Sequence, residues 1–271
     1  MKGRSGAALG VAPAAGVALL SAGVALLSGR SPTRLELERA WASPSAALPL
    51  GAGEAGVDLL AALAHGTARG LLLALAVVAF GFAVGTPLGA AAGMAGGSRA
   101  TALARACDLV QSFPSFLLAL AVLAAVRSPG RIHIGLVFCV TAWAPFARLA
   151  LLQATVLRGA AFVEAARALG ASRPRVLLGH VLPNLLGPVA VQCGSAAAAV
   201  VLGEAALGFL GLGPRDGVSL GALLEQGTAG MLRAPHVLIS SAAAVAAVSG
   251  SLQLASESLR RAAGGQDDLL E

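Results

Sequence analysis

"FVEAARALGASRPRVLLGHVLPN", residues 162–184, interrupts a chain that is otherwise mostly Ala, Leu, Val and Gly. It holds three arginines, a glutamate and a histidine, with long apolar runs on both sides. Glu164 to Leu169, EAARAL, is made of good helix formers. Gly170 can take a positive φ and end that helix. Ser172 and Pro174 then predict a second start, a Ser cap with Pro just inside it. Val176, Leu177 and Val181 form its apolar side. The expectation is two short helices with a sharp turn, far longer than a plain connection requires. Two readings stand on physics alone: a docking surface for another protein, or an amphipathic loop lying on lipid headgroups.

The flanking runs decide the fold class. The chain has 271 residues and is 57% hydrophobic, above the ~45–50% of soluble domains. Its charged share of 12% is about half the usual ~25%. Runs at 7–28, 70–96, 107–126, 132–152, 184–203 and 236–257 approach or reach the ~20 residues of a membrane-crossing helix. The expectation is an all-α, polytopic membrane protein with six transmembrane helices. The first run is longer than a signal peptide's apolar core, and no small-x-small cleavage site follows it, so it reads as an uncleaved helix. Residues 29–69 read as an exposed connector ending in a short amphipathic piece.

The net charge of +6 suits loops beside an anionic membrane, not nucleic acid. With both termini in the cytoplasm, eleven basic residues fall inside and eight outside, and the 159–183 insert supplies most of that bias. Cys107, Cys139 and Cys193 are far apart within apolar runs and read as small apolar residues, with no metal spacing or disulfide framework. His65, His133, His180 and His236 are scattered, so no metal centre or cofactor is expected. Gly81, Gly85, Gly89, Gly93 and Gly97 recur every four residues. That spacing puts them on one helix face where a neighbouring backbone can approach, within one subunit or across a subunit seam. Asp108 and Glu204 sit near predicted span ends, where a carboxylate either reaches headgroup water or has a function.

The insert resembles the EAA loop of permease subunits of binding-protein-dependent ABC importers. That pattern is E-A-A, three residues, Gly, nine residues, then I-x-L-P. Glu164, Ala165, Ala166, Gly170, His180, Leu182 and Pro183 occupy those positions. His180 replaces the general isoleucine, as is common in the dipeptide/oligopeptide/nickel branch. "DLVQSFPSFLLALAVL" (108–123) and "LGEAALGFLGLG" (202–213) resemble further segments of that branch. Gly56-Val57-Asp58 stands where the family often has Gly-Arg-Asp, so that arginine is absent. The resemblance covers about residues 56–262.

It implies a type I ABC importer permease in a bacterial inner membrane, with 159–183 as the ATPase-coupling loop. It also implies a second homologous permease, two cytoplasmic ATPase subunits and an extracytoplasmic solute-binding protein. The organisation expected is an N-terminal helix and connector (1–55), a five-helix core (56–262) and a short cytoplasmic tail (263–271). Peptides are the default solute from the resemblance alone. The only lysine is Lys2, so the chain has no P-loop and is not itself an ATPase. "GFLGLG" makes no complete dinucleotide fingerprint. An ion-coupled secondary transporter acting without ATPases is the alternative, although no internal repeat marks one.

Overall fold

The computed structural model describes residues 12, 14–24, 35–126, 129–214 and 217–264. Lys2, Arg4, Arg127, Arg215, most of the tail and both ends of the expected 7–28 span lie outside the described residues. Within that span, Ala14–Val24 form an apolar helix, α1. Ten helices follow one another with no strand among the described residues. Four of them, or five if a bent pair counts as one, are long and apolar enough to cross a membrane.

Residues 35–58 of the connector form a folded cap. A 3-10 turn at Leu37–Arg39 leads to Trp41, whose φ of +61° turns the chain. The Trp41 ring lies where a side chain on Gly230 would stand. The Glu54 amide donates to Gln226 Oε1 (3.3 Å), and Ala52 bridges Asp58. Residues 35–58 are thereby tied to α9 (Leu220–Ala229) and to its C-terminal residue Gly230.

Asp58 ends the cap and starts α2. Its carboxylate accepts from the Leu60 amide (2.9 Å) and the Ala61 amide (3.3 Å), two of the donors a helix start leaves open. α2 then runs Leu59–Ala95, 37 residues. That is about 55 Å, against the ~30 Å of a hydrocarbon core. The stretch expected to be a separate amphipathic piece is the first three turns of this helix.

The expected span 107–126 is broken. α3 (Gly97–Ser112) and α4 (Ser115–Ala125) meet at 64°. Pro114 lacks an N–H and pushes Phe113 out of the helical region, to φ −93°, ψ 123°. α3 also carries Arg99, Arg105, Asp108 and Gln111, which suits a membrane boundary better than its middle. α5 (Arg131–Leu157) matches its expected span, as does α10 (Pro235–Gly264), each a few residues longer.

The glycine row lies inside this chain, against α5. A Cβ on Gly81 would stand 2.9 Å from the Ala142 carbonyl, and one on Gly93 2.6 Å from the Leu151 carbonyl. At Gly85 and Gly89 it would collide with the carbonyls of Trp143 and Ala147. Residues 143, 147 and 151 repeat by four, as the glycines do, so the two backbones mesh along their length. Lipid supplies no hydrophobic drive between helices, and such close packing substitutes for it. Gly97 does not belong to the row. α2 ends at Ala95, Gly96 and Gly97 both take positive φ (66° and 57°), and nothing lies within 4 Å of a Cβ at Gly97. Two left-handed residues turn the chain into α3 and carry position 97 off the face.

α8 (Leu182–Leu207) and α10 complete the core. Ser256 Oγ donates to the Val191 carbonyl (2.7 Å) and lies 2.9 Å from Ser195 Oγ. Gly194 admits Ser256 at this crossing.

Candidate functional site

The polar insert folds into a tip of two helices closed by a hydrogen-bonded turn. α6 (Ala161–Ala168) is followed by Leu169 and by Gly170 at φ +82°. The Ala171 amide donates to the Ala166 carbonyl (3.0 Å) and the Gly170 amide to the Arg167 carbonyl (2.9 Å). This pair is a complete Schellman closure, and Ala171 and Ala166 pack on the same core cluster. Ser172 stands at the N-cap of α7 (Arg173–Val176), but its side chain makes no capping bond. Pro174 in the first turn starts the helix without that bond.

The second short helix does not stop before the span, as the sequence suggested. α7, a π-helical turn at Leu177–Val181 and α8 continue as one rod from Arg173 through Leu207, and the chain kinks just beyond it, where Gly211 takes φ +77°. Pro183 has no N–H for the carbonyl one turn back, and its ring would crowd that carbonyl. The wider turn, in which the Leu182 amide reaches the Leu177 carbonyl, relieves both. Asn184 Nδ2 donates to the His180 carbonyl (2.6 Å) within it.

The tip has a buried root and an exposed crown. Val163, Val176, Val181 and Leu185 are fully buried with Phe146, Ala150 and Ala154 of the α2–α5 pair. Glu164, Ala165 and Gly170 are exposed, and Ala166 is half-buried. His180 is half-buried, its ring 6.5 Å from that of Phe162 on α6. Leu182 and Pro183 lie lower, along an apolar groove with Phe82 and Pro87 of α2. The motif positions thus divide into a crown and a root. Sequence reading passed over Leu169, which is 89% exposed beside Gly170. An apolar residue next to a turn glycine in a polar loop was the available signal.

A cavity of ≈380 Å³ opens where the α3–α4 elbow meets α2, α5 and α8. Gln111, Ser115, Thr141, Gln192 and Ser195 supply its polar groups, Phe113, Phe138 and Phe146 its walls, and no charged side chain lines it. Pro145 also lines it, and has no N–H to give the Thr141 carbonyl one turn earlier in α5. The cavity therefore offers neutral donors and acceptors.

Of the two carboxylates noted at span ends, Asp108 is exposed and pairs with Arg148. Glu204 is buried, 3% exposed, so the headgroup-water reading fails for it. Its Oε2 has no hydrogen-bond partner among the described residues. The three cysteines are free, one buried and two half-buried, and the described residues hold no cluster suited to a metal.

Meshed helices around a neutral cavity, joined by one rod to an exposed polar tip, describe a polytopic membrane chain. Comparison with known proteins narrows the class. The family described as "Binding-protein-dependent transport system inner membrane component" matches residues 85–259, more than half of the chain, and the chain belongs to it. It is 34% identical to the probable D,D-dipeptide transport system permease protein of Escherichia coli, over 74% of this chain and 67% of that one. It is 31% identical to the glutathione transport system permease protein of Pectobacterium atrosepticum, over 84% of this chain and 75% of that one. An oligopeptide transport system permease protein of Mycobacterium tuberculosis is 32% identical, over 79% and 74%. The chain is a multi-pass permease subunit of an ATP-driven importer, a kind of system whose ATPase and solute-binding protein are separate partners.

Proposed function

We propose that this permease imports peptides, and that the crown of its tip is the contact with the cytoplasmic ATPases. The observation that carries the reading is the continuous rod. The exposed crown is rooted in α7, α7 continues into α8, and α8 brings Gln192 and Ser195 to the cavity. A displacement of the crown passes through the hydrogen-bonded turn at 169–172 and then along the rod to the cavity wall. Glu164 offers a carboxylate to donors on the ATPase, Ala165 permits close approach, and Leu169 presents an apolar knob. Ala166 and Gly170 hold the turn, and His180, Leu182 and Pro183 seat it on the membrane helices.

Peptides fit the cavity's chemistry. Neutral amides and hydroxyls match the donors and acceptors of a peptide backbone, and the absence of charge keeps binding weak enough for release. The names of the relatives support the same solute class. A second, homologous permease supplies the other wall of the path, and the chain lies in a bacterial inner membrane with both termini in the cytoplasm. The organisation into a terminal helix with connector (1–55), core (56–262) and tail (263–271) belongs to this reading. No P-loop occurs in the chain, so the energy comes from the partners.

The test is uptake of a labelled dipeptide into vesicles holding the full set of subunits, with and without ATP on the tip side. Uptake should require ATP and the binding protein. Equal uptake driven by an ion gradient alone would overturn the reading.

A further inference from the structure

Four arginines from four different helices or helix ends converge beside the tip. Arg99 comes from the first turns of α3, Arg158 from the end of α5, Arg167 from α6 and Arg173 from α7. They surround a cavity of ≈640 Å³ that no acidic side chain lines. None of the four is in an ion pair among the described residues, whereas Arg39, Arg148, Arg260 and Arg261 each are. Four unneutralised cations around one cavity repel one another, and an anion relieves that repulsion. Guanidinium forks also match phosphate oxygens in a bidentate way. The backbone makes room for one of them. Gly96, at φ +66°, leaves free the space that the Arg158 guanidinium occupies, and any Cβ there would strike it.

The floor of the cavity is apolar, with Met94 and Leu177 among its residues. Below it lies the second, ≈290 Å³ groove, lined by Phe82, Pro87, Leu178, Leu182 and Leu186. The two cavities share the same two elements. Pro87 and Ala91 are one turn apart on α2, and Leu177 and Leu178 are neighbours on the π-helical turn. Charge above and an apolar channel below, at the end of the α2–α8 seam, is the pattern an amphiphile requires. An acidic protein side chain would use the arginines and leave the channel empty.

We propose that this cavity is a binding site for the phosphate of an anionic phospholipid, with an acyl chain in the groove beneath it. Bound there, the lipid joins α3, α5 and the two helices of the tip through one phosphate. It steadies the crown relative to the α2–α5 pair.

The test uses the full chain with whatever subunits accompany it, in nanodiscs, so the result does not depend on the solute. Spin-labelled phosphatidylglycerol is titrated into phosphatidylcholine discs, and the immobilised fraction gives the affinity. Wild type should prefer phosphatidylglycerol to phosphatidylcholine. Arg99→Gln/Arg158→Gln should weaken that preference roughly thirtyfold, the combined contribution of two basic residues at an anionic surface. Arg260→Gln/Arg261→Gln, which removes the same charge from residues already paired with Glu257, should leave it within about twofold. Arg99→Lys/Arg158→Lys, which keeps the charge, should retain most of the preference and shows that the fold survives change at these positions. Equal lipid preference in wild type and Arg99→Gln/Arg158→Gln would overturn the site. Binding of inorganic phosphate in neutral detergent, without any lipid selectivity in discs, would overturn the lipid assignment in favour of a soluble anion. Loss of the ATPase from Arg99→Gln/Arg158→Gln in phosphatidylcholine discs would overturn it in favour of a protein contact.

Discussion

Arg148 of α5 donates one Nη1 to the Asp108 carboxylate of α3 and toward the Ala104 carbonyl, so a single guanidinium holds the first half of the elbow against the central helix. The side chains are 38% and 61% exposed. Solvent screens such a pair, and exposed pairs contribute ~1 kcal/mol or less. A double-mutant cycle with Arg148→Met and Asp108→Asn should therefore return about 1 kcal/mol or less of coupling by thermal denaturation in detergent. A coupling above about 3 kcal/mol would mean that the pair is shielded in the assembled protein.

Gly89 sits mid-way along the α2–α5 seam, where a Cβ meets the Ala147 carbonyl and stands 2.9 Å from Ala150 Cβ. Helix ends can splay to relieve a clash, and the middle cannot. Gly89→Ala should lower stability by about 1–3 kcal/mol, the range for overpacking. Gly89→Leu should abolish recovery of folded protein. Ala90 is itself fully buried and would report a second clash, so exposed Ala83→Leu is the control. Size-exclusion profiles in detergent that do not distinguish Gly89→Leu from Ala83→Leu would remove the seam's importance.

Gly170 has a positive φ of 82° but nothing within 4 Å of a Cβ, so substitution there meets backbone strain and no steric wall. Asn tolerates the left-handed region, Ala resists it by roughly 1–2 kcal/mol, and a β-branched residue resists it more. Co-purification of the ATPase should fall in the order Gly, Asn, Ala, Val. Val equal to Asn would show that the crown docks without this turn.

Glu164 and Leu169 are both exposed. Glu164→Lys reverses a charge in the first turn of α6, where a carboxylate favours the helix by ~0.3–1 kcal/mol. Folding should survive that loss, and ATP-driven uptake should drop at least tenfold. Leu169→Ser should do the same with no change in melting temperature. Normal uptake in either variant excludes that residue from the docking contact.

Much of the fold was legible because its determinants are local. Apolar runs marked the spans, and Gly170 marked the turn that the Schellman closure now occupies. Pro114 was equally visible, yet the 107–126 run read as one span. Apolarity there is continuous, and only the backbone consequence of Pro114 on Phe113 breaks the helix. The tip failed in the opposite sense. Ser172-Arg173-Pro174 read as a start, but the helix it opens read as short and separate from the 184–203 span. A π-helical turn absorbed Pro183, because burial of Val181 and Leu185 on the α2–α5 pair holds the rod together. Four-residue spacing grouped Gly97 with the row, and spacing carries no information about where a helix ends.

By itself the sequence determined an all-helical membrane chain, the place of its polar tip and the turn within it. Each follows from interactions between residues a few positions apart, or from the cost of exposing a peptide backbone to lipid. Only the tertiary structure decided that the glycine row faces α5 of the same chain, that Glu204 is shut away from water, and that Arg99, Arg158, Arg167 and Arg173 share one cavity. Those relations join residues tens of positions apart. They depend on which helix faces meet, and periodicity along one helix specifies a face without specifying its partner.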